Sequence, residues 1–271
     1  MNIFQKKGFL KTLDNRFILP FNKRWKWEIF IKITDSILPL PKYQIRYPKN
    51  KCAVIVELRR HPHLSYILRN IMYFLDKSWG LHIFHGTENE EYIKKIVDGW
   101  GTVILTNLEK SNLSPIEFNG LLTSIDFWNE LKSEHILIFQ TDSILRKKGI
   151  DEFLQYDYVG APWKLYGAPE FGGNGGLSLR RRSVMLEILE KNYIMDAKYQ
   201  EDLFFCEKLV DGRYNIAPRD VAMRFSVEEL FYHDPIGVHA LWKLHKSKQI
   251  DTILRGVQYN IPDSNKLHVL E

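Results

Sequence analysis

Short β-branched apolar runs alternate along the chain with segments whose apolar residues recur every three or four positions. Cys52–Leu58 (CAVIVEL) has the length and composition of a buried strand. Over His63–Leu75, Leu64, Ile67, Leu68, Ile71, Met72 and Leu75 fall at helical spacing. Leu81–Phe84 reads as a second strand, Glu90–Asp98 as a helix and Thr102–Leu105 as a third strand. Residues 114–132 read as one helix, and His135–Phe139 (HILIF) as a fourth strand. The run 180–191 reads as a further helix with solvated arginines at its start, and another helix opens at Gln200-Glu201-Asp202. This alternation predicts an α/β domain whose central sheet is mostly parallel and flanked by helices. No internal repeat interrupts it.

Residues 21–40 mix Lys and Arg with Trp, Phe and Ile, the pattern of an amphipathic helix. Packing on the body or a loose arm is the expectation favoured over peripheral membrane contact through residues 1–50. Pro39, Pro41 and Pro48 mark a boundary. The expected organisation is a basic arm or helical extension over 1–50, a domain over 51–250 and a tail over 251–271.

Composition narrows the class. Of 271 residues, 45% are hydrophobic and 26% charged, which excludes general disorder, collagen and coiled coil. No window offers the 18 apolar residues of a spanning helix, and no secretory signal is visible, so a cytoplasmic protein is expected. Two cysteines, Cys52 and Cys206, do not make a disulfide scaffold. The net charge of +5 first suggests a nucleic-acid partner. Residues 1–51, however, carry 12 Lys and Arg against 3 Asp and Glu, a net +9. The remainder, with 26 basic and 30 acidic residues, is at −4, so nucleic acid is disfavoured and the basicity is assigned to the arm.

In open parallel sheets, ligands bind beyond the carboxyl ends of the strands. Polar residues stand there: Glu57 and Arg59 after the first strand, His85 after the second, and Gln140, Thr141 and Asp142 after the fourth. Asp142 suits either a divalent cation on a diphosphate or a helix cap. Phe171–Arg180 (FGGNGGLSLR) reads as a glycine-rich loop that lets backbone approach a ligand, or as a flexible hairpin. Glu201 and Asp202 suit a helix dipole, or a carboxylate base. His239 follows Gly237-Val238.

Taken in order, AVIVELR (53–59), HILIFQTDS (135–143), YDYVGAPW (156–163), GGNGGLSLR (172–180), EDLFF (201–205) and GVHALW (237–242) resemble a Rossmann-like A-type glycosyltransferase fold. More narrowly, they resemble an uncharacterised family of glycosyltransferase-like domains of unknown function. The resemblance implies a nucleotide-sugar donor and a glycan or other hydroxyl acceptor. It places Asp142 at the last position of an Asp-x-Asp motif, here Gln140-Thr141-Asp142, holding Mn²⁺ or Mg²⁺ with His239. It implies nucleotide contacts from Glu57, Arg59, His85, Gln140, Thr141 and Asp142. Sugar and acceptor contacts fall to Trp163, Gly173, Asn174, Gly175 and Gly176. Asp202 takes the place of the general base of an inverting enzyme, with Glu201 second. A retaining enzyme on the same fold, or a non-catalytic carbohydrate- or nucleotide-binding module, are the alternatives.

Overall fold

The computed structural model of the chain describes residues 23–41, 44–164, 172–192, 200–210 and 214–259. Residues 1–22 of the basic arm and the end of the tail (260–271) therefore lie outside the described residues, as does Phe171 of the glycine-rich segment.

Four strands, β1 (Lys51–Val56), β2 (Trp79–His85), β3 (Ile104–Asn107) and β4 (His135–Phe139), run parallel in the order β3-β2-β1-β4. Successive side chains of each strand enter opposite layers. Ala53, Ile55, Leu137 and Phe139 enter one core, and Cys52, Val54, Ile136 and Ile138 the other. Helix α1 (Arg24–Asp35), α2 (Leu64–Phe74) and α3 (Glu90–Ile96) contribute to the first core. The second is covered by α4 (Pro115–Leu122), α5 (Ile125–Glu130), α6 (Arg182–Lys191) and α7 (Glu201–Leu209). The α/β class read from the sequence is thus the observed one.

The sheet is mixed, however, and not mostly parallel. β7 (Asn174–Arg181) joins β4 antiparallel, and β6 (Tyr158–Ala161) joins β7 antiparallel. The segment read as a glycine-rich loop is therefore largely a central strand. Leu177 and Leu179 face the first core while Ser178 and Arg180 face the other side, an alternation that the preceding glycines obscure. A second, small sheet is made by β5 (Ser143–Leu145), β8 (Ser226–Val227) and β9 (Gly237–His239), in the order β5-β9-β8. Helix α8 (Arg219–Phe225) precedes β8, and the short α9 (Leu241–Leu244) and α10 (Ser247–Arg255) follow β9.

The helix expected over 114–132 is two. Ser114 caps α4 in a capping box with Glu117, and the Ser124 hydroxyl accepts the Phe127 N–H at 3.2 Å to start α5. Helix α1 lies on the body. Trp27, Phe30, Ile31 and Thr34 are buried, and Trp27 packs on Trp242 with ring centroids 5.0 Å apart. Lys26 Nζ donates to both oxygens of Asp251 at 2.7 Å. The apolar face of α1 is therefore occupied by protein. The expected boundary at residue 250 falls inside α10, whose Ile250, Ile253 and Leu254 are buried. No helix among the described residues is long and apolar enough to cross a membrane.

Trp27 is 1% exposed. Trp27→Ala should destabilise the fold by about 3–5 kcal/mol through the cavity it leaves, read as a fall in the thermal unfolding midpoint.

Candidate ligand site

From β1 the chain crosses the first face through α2 to reach β2, whereas it enters β4 across the second face through α4 and α5. The carboxyl ends of β1 and β4 thus meet where the winding reverses, and loops leaving in opposite directions open a crevice. A cavity of about 600 Å³ lies there, within the range of small-molecule sites. Its floor is Glu57 and Arg59 from β1 and Gln140, Thr141 and Asp142 from β4. One wall is the 112–115 turn with Phe118 and Asn119 of α4. The other is Arg24 and Trp27 of α1 with Trp242 and Lys243 of α9, and His61 and His63 complete the rim.

Five residues expected at a nucleotide site are therefore together. Glu57 is buried and holds Arg59: Oε1 accepts the Arg59 N–H at 2.9 Å and Nε at 2.8 Å, and Oε2 accepts Nη2 at 2.8 Å. The hydrogen bond to Glu57 raises the guanidinium pKa further. Burial pushes the His61 imidazole pKa down. His85 is different. Its ring is buried, Nδ1 lies 2.9 Å from the Gly86 carbonyl, and it does not line the cavity.

Asp142 is gripped by one turn. Its carbonyl accepts the Ala240 N–H at 3.0 Å, Oδ1 lies 3.1 Å from His239 Nε2, and Oδ2 lies 3.5 Å from Lys243 Nζ. Ala240 at the centre of this turn has φ +47°, a strained conformation for a residue with a Cβ. On its other side His239 Nδ1 is 3.2 Å from Glu228 Oε1. Burial opposes a charge on His239, but hydrogen bonds to Asp142 and Glu228 outweigh it and raise its pKa to about 9. Burial likewise opposes charge on Asp142, yet His239 and Lys243 hold its carboxyl down at about 2.

This donor set does not suit Mn²⁺ or Mg²⁺. Asp142 Oδ2 faces the Lys243 ammonium at 3.5 Å, and position 140 supplies a carboxamide instead of a carboxylate. Among the described residues no group of three His, Cys, Asp or Glu side chains is placed to hold a metal ion. The expected Asp142–His239 pair is present as an ion pair.

Glu201 and Asp202 sit at the start of α7, outside the cavity lining. Glu201 takes the fully buried Arg180 guanidinium bidentately, at 2.6 and 3.0 Å. Burial opposes that guanidinium charge, and Glu201 more than restores it. Glu201 is therefore committed to a structural pair, and Arg180 is not a solvated helix residue. Asp202 accepts the Gly175 N–H at 2.9 Å and the Leu203 N–H at 2.8 Å. Burial, then the charge of Glu201, raises its pKa to about 6.

The glycines serve close approach between protein groups. A Cβ on Gly175 would meet Glu201 Oε1 at 2.2 Å, and one on Gly176 would meet the His239 ring at 2.3 Å. Asn174 turns inward, its Oδ1 accepting the Gly176 N–H at 2.7 Å. Gly173 has φ +142° and sits against the Gly160 and Ala161 carbonyls. Trp163 packs half-buried against the second core and does not line the cavity.

Sequence reasoning did not find Asn89, Glu228, Lys243, Arg24, Trp27 or Trp242. Buried Asn89 donates to the Glu57 and Arg59 carbonyls at 2.8 and 3.1 Å and accepts the Gly86 N–H at 2.9 Å, fixing the loop after β1. Lys243 follows the GVHALW motif directly and was within reach of it. Arg24 and Trp27 belong to the segment read as a basic arm or helical extension and kept apart from the site, so the basicity of that segment does bear on the cavity.

Fold and cavity together define an α/β protein with a cavity at the switch point of its sheet. A model for a family of proteins of unknown function, DUF5672, matches residues 104–239, and the chain belongs to that family. No curated protein sequence matches the chain. Among solved structures it is similar to the apo glycosyltransferase GlyE of Streptococcus pneumoniae TIGR4, at 11% identity and TM-score 0.47, over 78% of this chain and 61% of that one. A second GlyE structure matches at 12% identity and TM-score 0.39, over 61% of this chain and 44% of that one. The chain thus spans less than two thirds of the GlyE chains. Mouse xyloside xylosyltransferase 1, also apo, matches at 10% identity and TM-score 0.49, over 71% of this chain and 97% of that one.

Removing one partner of a buried ion pair strands the other charge. Glu201→Ala should cost about 3–5 kcal/mol in denaturant titration. Gly176→Ala should cost about 1–3 kcal/mol by overpacking against His239, and should disturb ligand binding in the cavity by moving that ring.

Proposed function

We propose that the chain is a glycosyltransferase that moves a sugar from a nucleoside-diphosphate sugar to an acceptor hydroxyl. The observation that carries this reading is the cavity at the switch point. Three permanent cations, Arg24, Arg59 and Lys243, line it against two carboxylates, Glu57 and Asp142. The half-buried indole of Trp242, backed by buried Trp27, stands beside them. An anionic diphosphate bearing a flat base matches both kinds of wall. Three of the six motifs that resemble A-type glycosyltransferases, AVIVELR, HILIFQTDS and GVHALW, contribute residues to this cavity, and EDLFF opens α7, which supports transfer as the chemistry.

Asp202 is the proposed base. It stands at the carboxyl edge of the sheet, because β7 begins beside the end of β4. Gly175 binds its carboxylate through N–H, and Gly176, the next residue, abuts His239. In the proposed step the acceptor hydroxyl attacks the anomeric carbon and gives its proton to Asp202. The bond from that carbon to the diphosphate oxygen breaks, and the nucleoside diphosphate leaves with the electron pair into the cationic cavity. This is inversion; a retained configuration in the product would assign Asp202 a positioning role instead. Because Asp202 does not line the described cavity, a non-catalytic nucleotide-binding module is the second reading.

A thermal-shift screen of nucleotide sugars should single out one donor, since a bound ligand raises apparent stability by mass action. With that donor, Asp202→Asn should lower transfer by about 10²–10⁴-fold while leaving donor affinity unchanged. Native transfer by this variant would remove Asp202 as base, and absence of any transfer by the native chain despite binding would favour the module. The base works ionised, so activity should rise with pH through about 6, the Asp202 pKa, and fall away below it.

A further inference from the structure

Resting on the reading of the cavity as a nucleoside-diphosphate site, we propose that Lys243, with Arg59, supplies the positive charge facing the diphosphate, and that the nucleotide binds without a divalent cation. The turn Val238–Lys243 is built as a clip around Asp142. It delivers a backbone N–H, an imidazole and an ammonium to the same residue. A divalent ion arriving at Asp142 would meet the Lys243 ammonium, 3.5 Å from Oδ2, and the His239 ring, 3.1 Å from Oδ1. A phosphate oxygen arriving there meets a cation already in place.

Lys243 is open to such a ligand. Its side chain is 54% exposed and lines the cavity, while its partner Asp142 is largely covered. An ammonium offers three donors and behaves as a compact point charge, so it can keep Asp142 and accept a phosphate oxygen together. Across the cavity floor, Arg59 is held by Glu57 through Nε and Nη2, and the side chain remains 59% exposed. Arg59 thus stands beyond the end of β1, and Lys243 of α9 is held at the end of β4 through Asp142, each paired with a buried or half-buried carboxylate. Gln140 completes the contrast. Its neutral Oε1 lies 3.3 Å from His239 Nε2 and adds no negative charge with which to attract a metal.

The test is calorimetric titration of the full chain with UDP, GDP, ADP and CDP, in excess EDTA and again in excess Mn²⁺. The best ligand is expected to bind in EDTA within about threefold of its affinity in Mn²⁺, whereas a metal-bridged diphosphate would lose far more. Lys243→Met should weaken that binding by about tenfold or more in EDTA, and Lys243→Arg should recover most of it. Lys243 is exposed, so both variants should keep the native unfolding midpoint. Binding that appears in Mn²⁺ and vanishes in EDTA would overturn the inference while leaving the nucleotide reading standing. Native affinity in Lys243→Met would overturn it as well. Absence of binding by every nucleoside diphosphate in both buffers would instead bring down the parent reading, and this inference with it.

Discussion

The buried pair of Arg180 and Glu201 is the interaction on which the geometry of the site depends. A guanidinium with no exposed surface is tolerated only where a partner meets it closely on every side. Glu201 takes it bidentately, Ser178 accepts from Nε at 2.9 Å, and the rings of Tyr158 and Phe205 lie 5.0 and 5.6 Å from its centre. These partners come from β6, β7 and α7, so the pair can be satisfied in one arrangement of those elements. That arrangement leaves Gly175 no room for a side chain and brings its N–H to Asp202. It also directs Gly176 to the other face of β7, against His239 and hence toward Asp142.

Neighbouring carboxylates at the start of α7 consequently have opposite fates. Glu201 faces a fixed cation and remains part of the framework. Asp202 is buried beside that negative charge and receives only two backbone N–H groups, which is why burial and Glu201 together drive its pKa upward. Divergent environments for adjacent acids are how one fold separates a structural charge from a titrating one. The Arg180 pair therefore acts twice: it holds the strand, and it fixes Glu201 beside Asp202, where Glu201 follows burial as a cause of the raised Asp202 pKa.

The α/β class and the residues of the crevice floor were legible in the sequence because each rests on a local pattern. Apolar runs such as CAVIVEL and HILIF end in polar residues, and those residues, Glu57, Arg59 and Gln140 to Asp142, reach the cavity floor. β7 was hidden because glycines carry no hydrophobic signal. Its one alternating stretch also ends in arginines that look solvated until Glu201 is found beside Arg180. The second sheet was hidden because strands of two or three residues give too few positions to show a period. The outer cavity wall joins Arg24 and Trp27 to Trp242 and Lys243, which are remote in sequence, and no local rule connects them. Counting charge by segment placed Arg24 in an arm, although the packing of Trp27 on Trp242 carries it into the site.

The proposed anion site is lined by carboxylates, which looks contradictory until the free protein is considered. Arg24, Arg59 and Lys243 facing one cavity would repel one another and collapse outward into water. Glu28, 3.0 Å from Arg24, and Glu57 and Asp142 beside the other two remove that repulsion and hold each cation in a set direction. The cost of ordering three long side chains is then met in folding, before any ligand arrives. On the proposed reading, the cavity offers a diphosphate cationic groups in fixed places, each balanced by a carboxylate, which favours a shaped, multiply charged ligand over bulk anions. A broad basic groove, of the sort the overall charge first suggests, would offer the reverse: strong attraction with little direction.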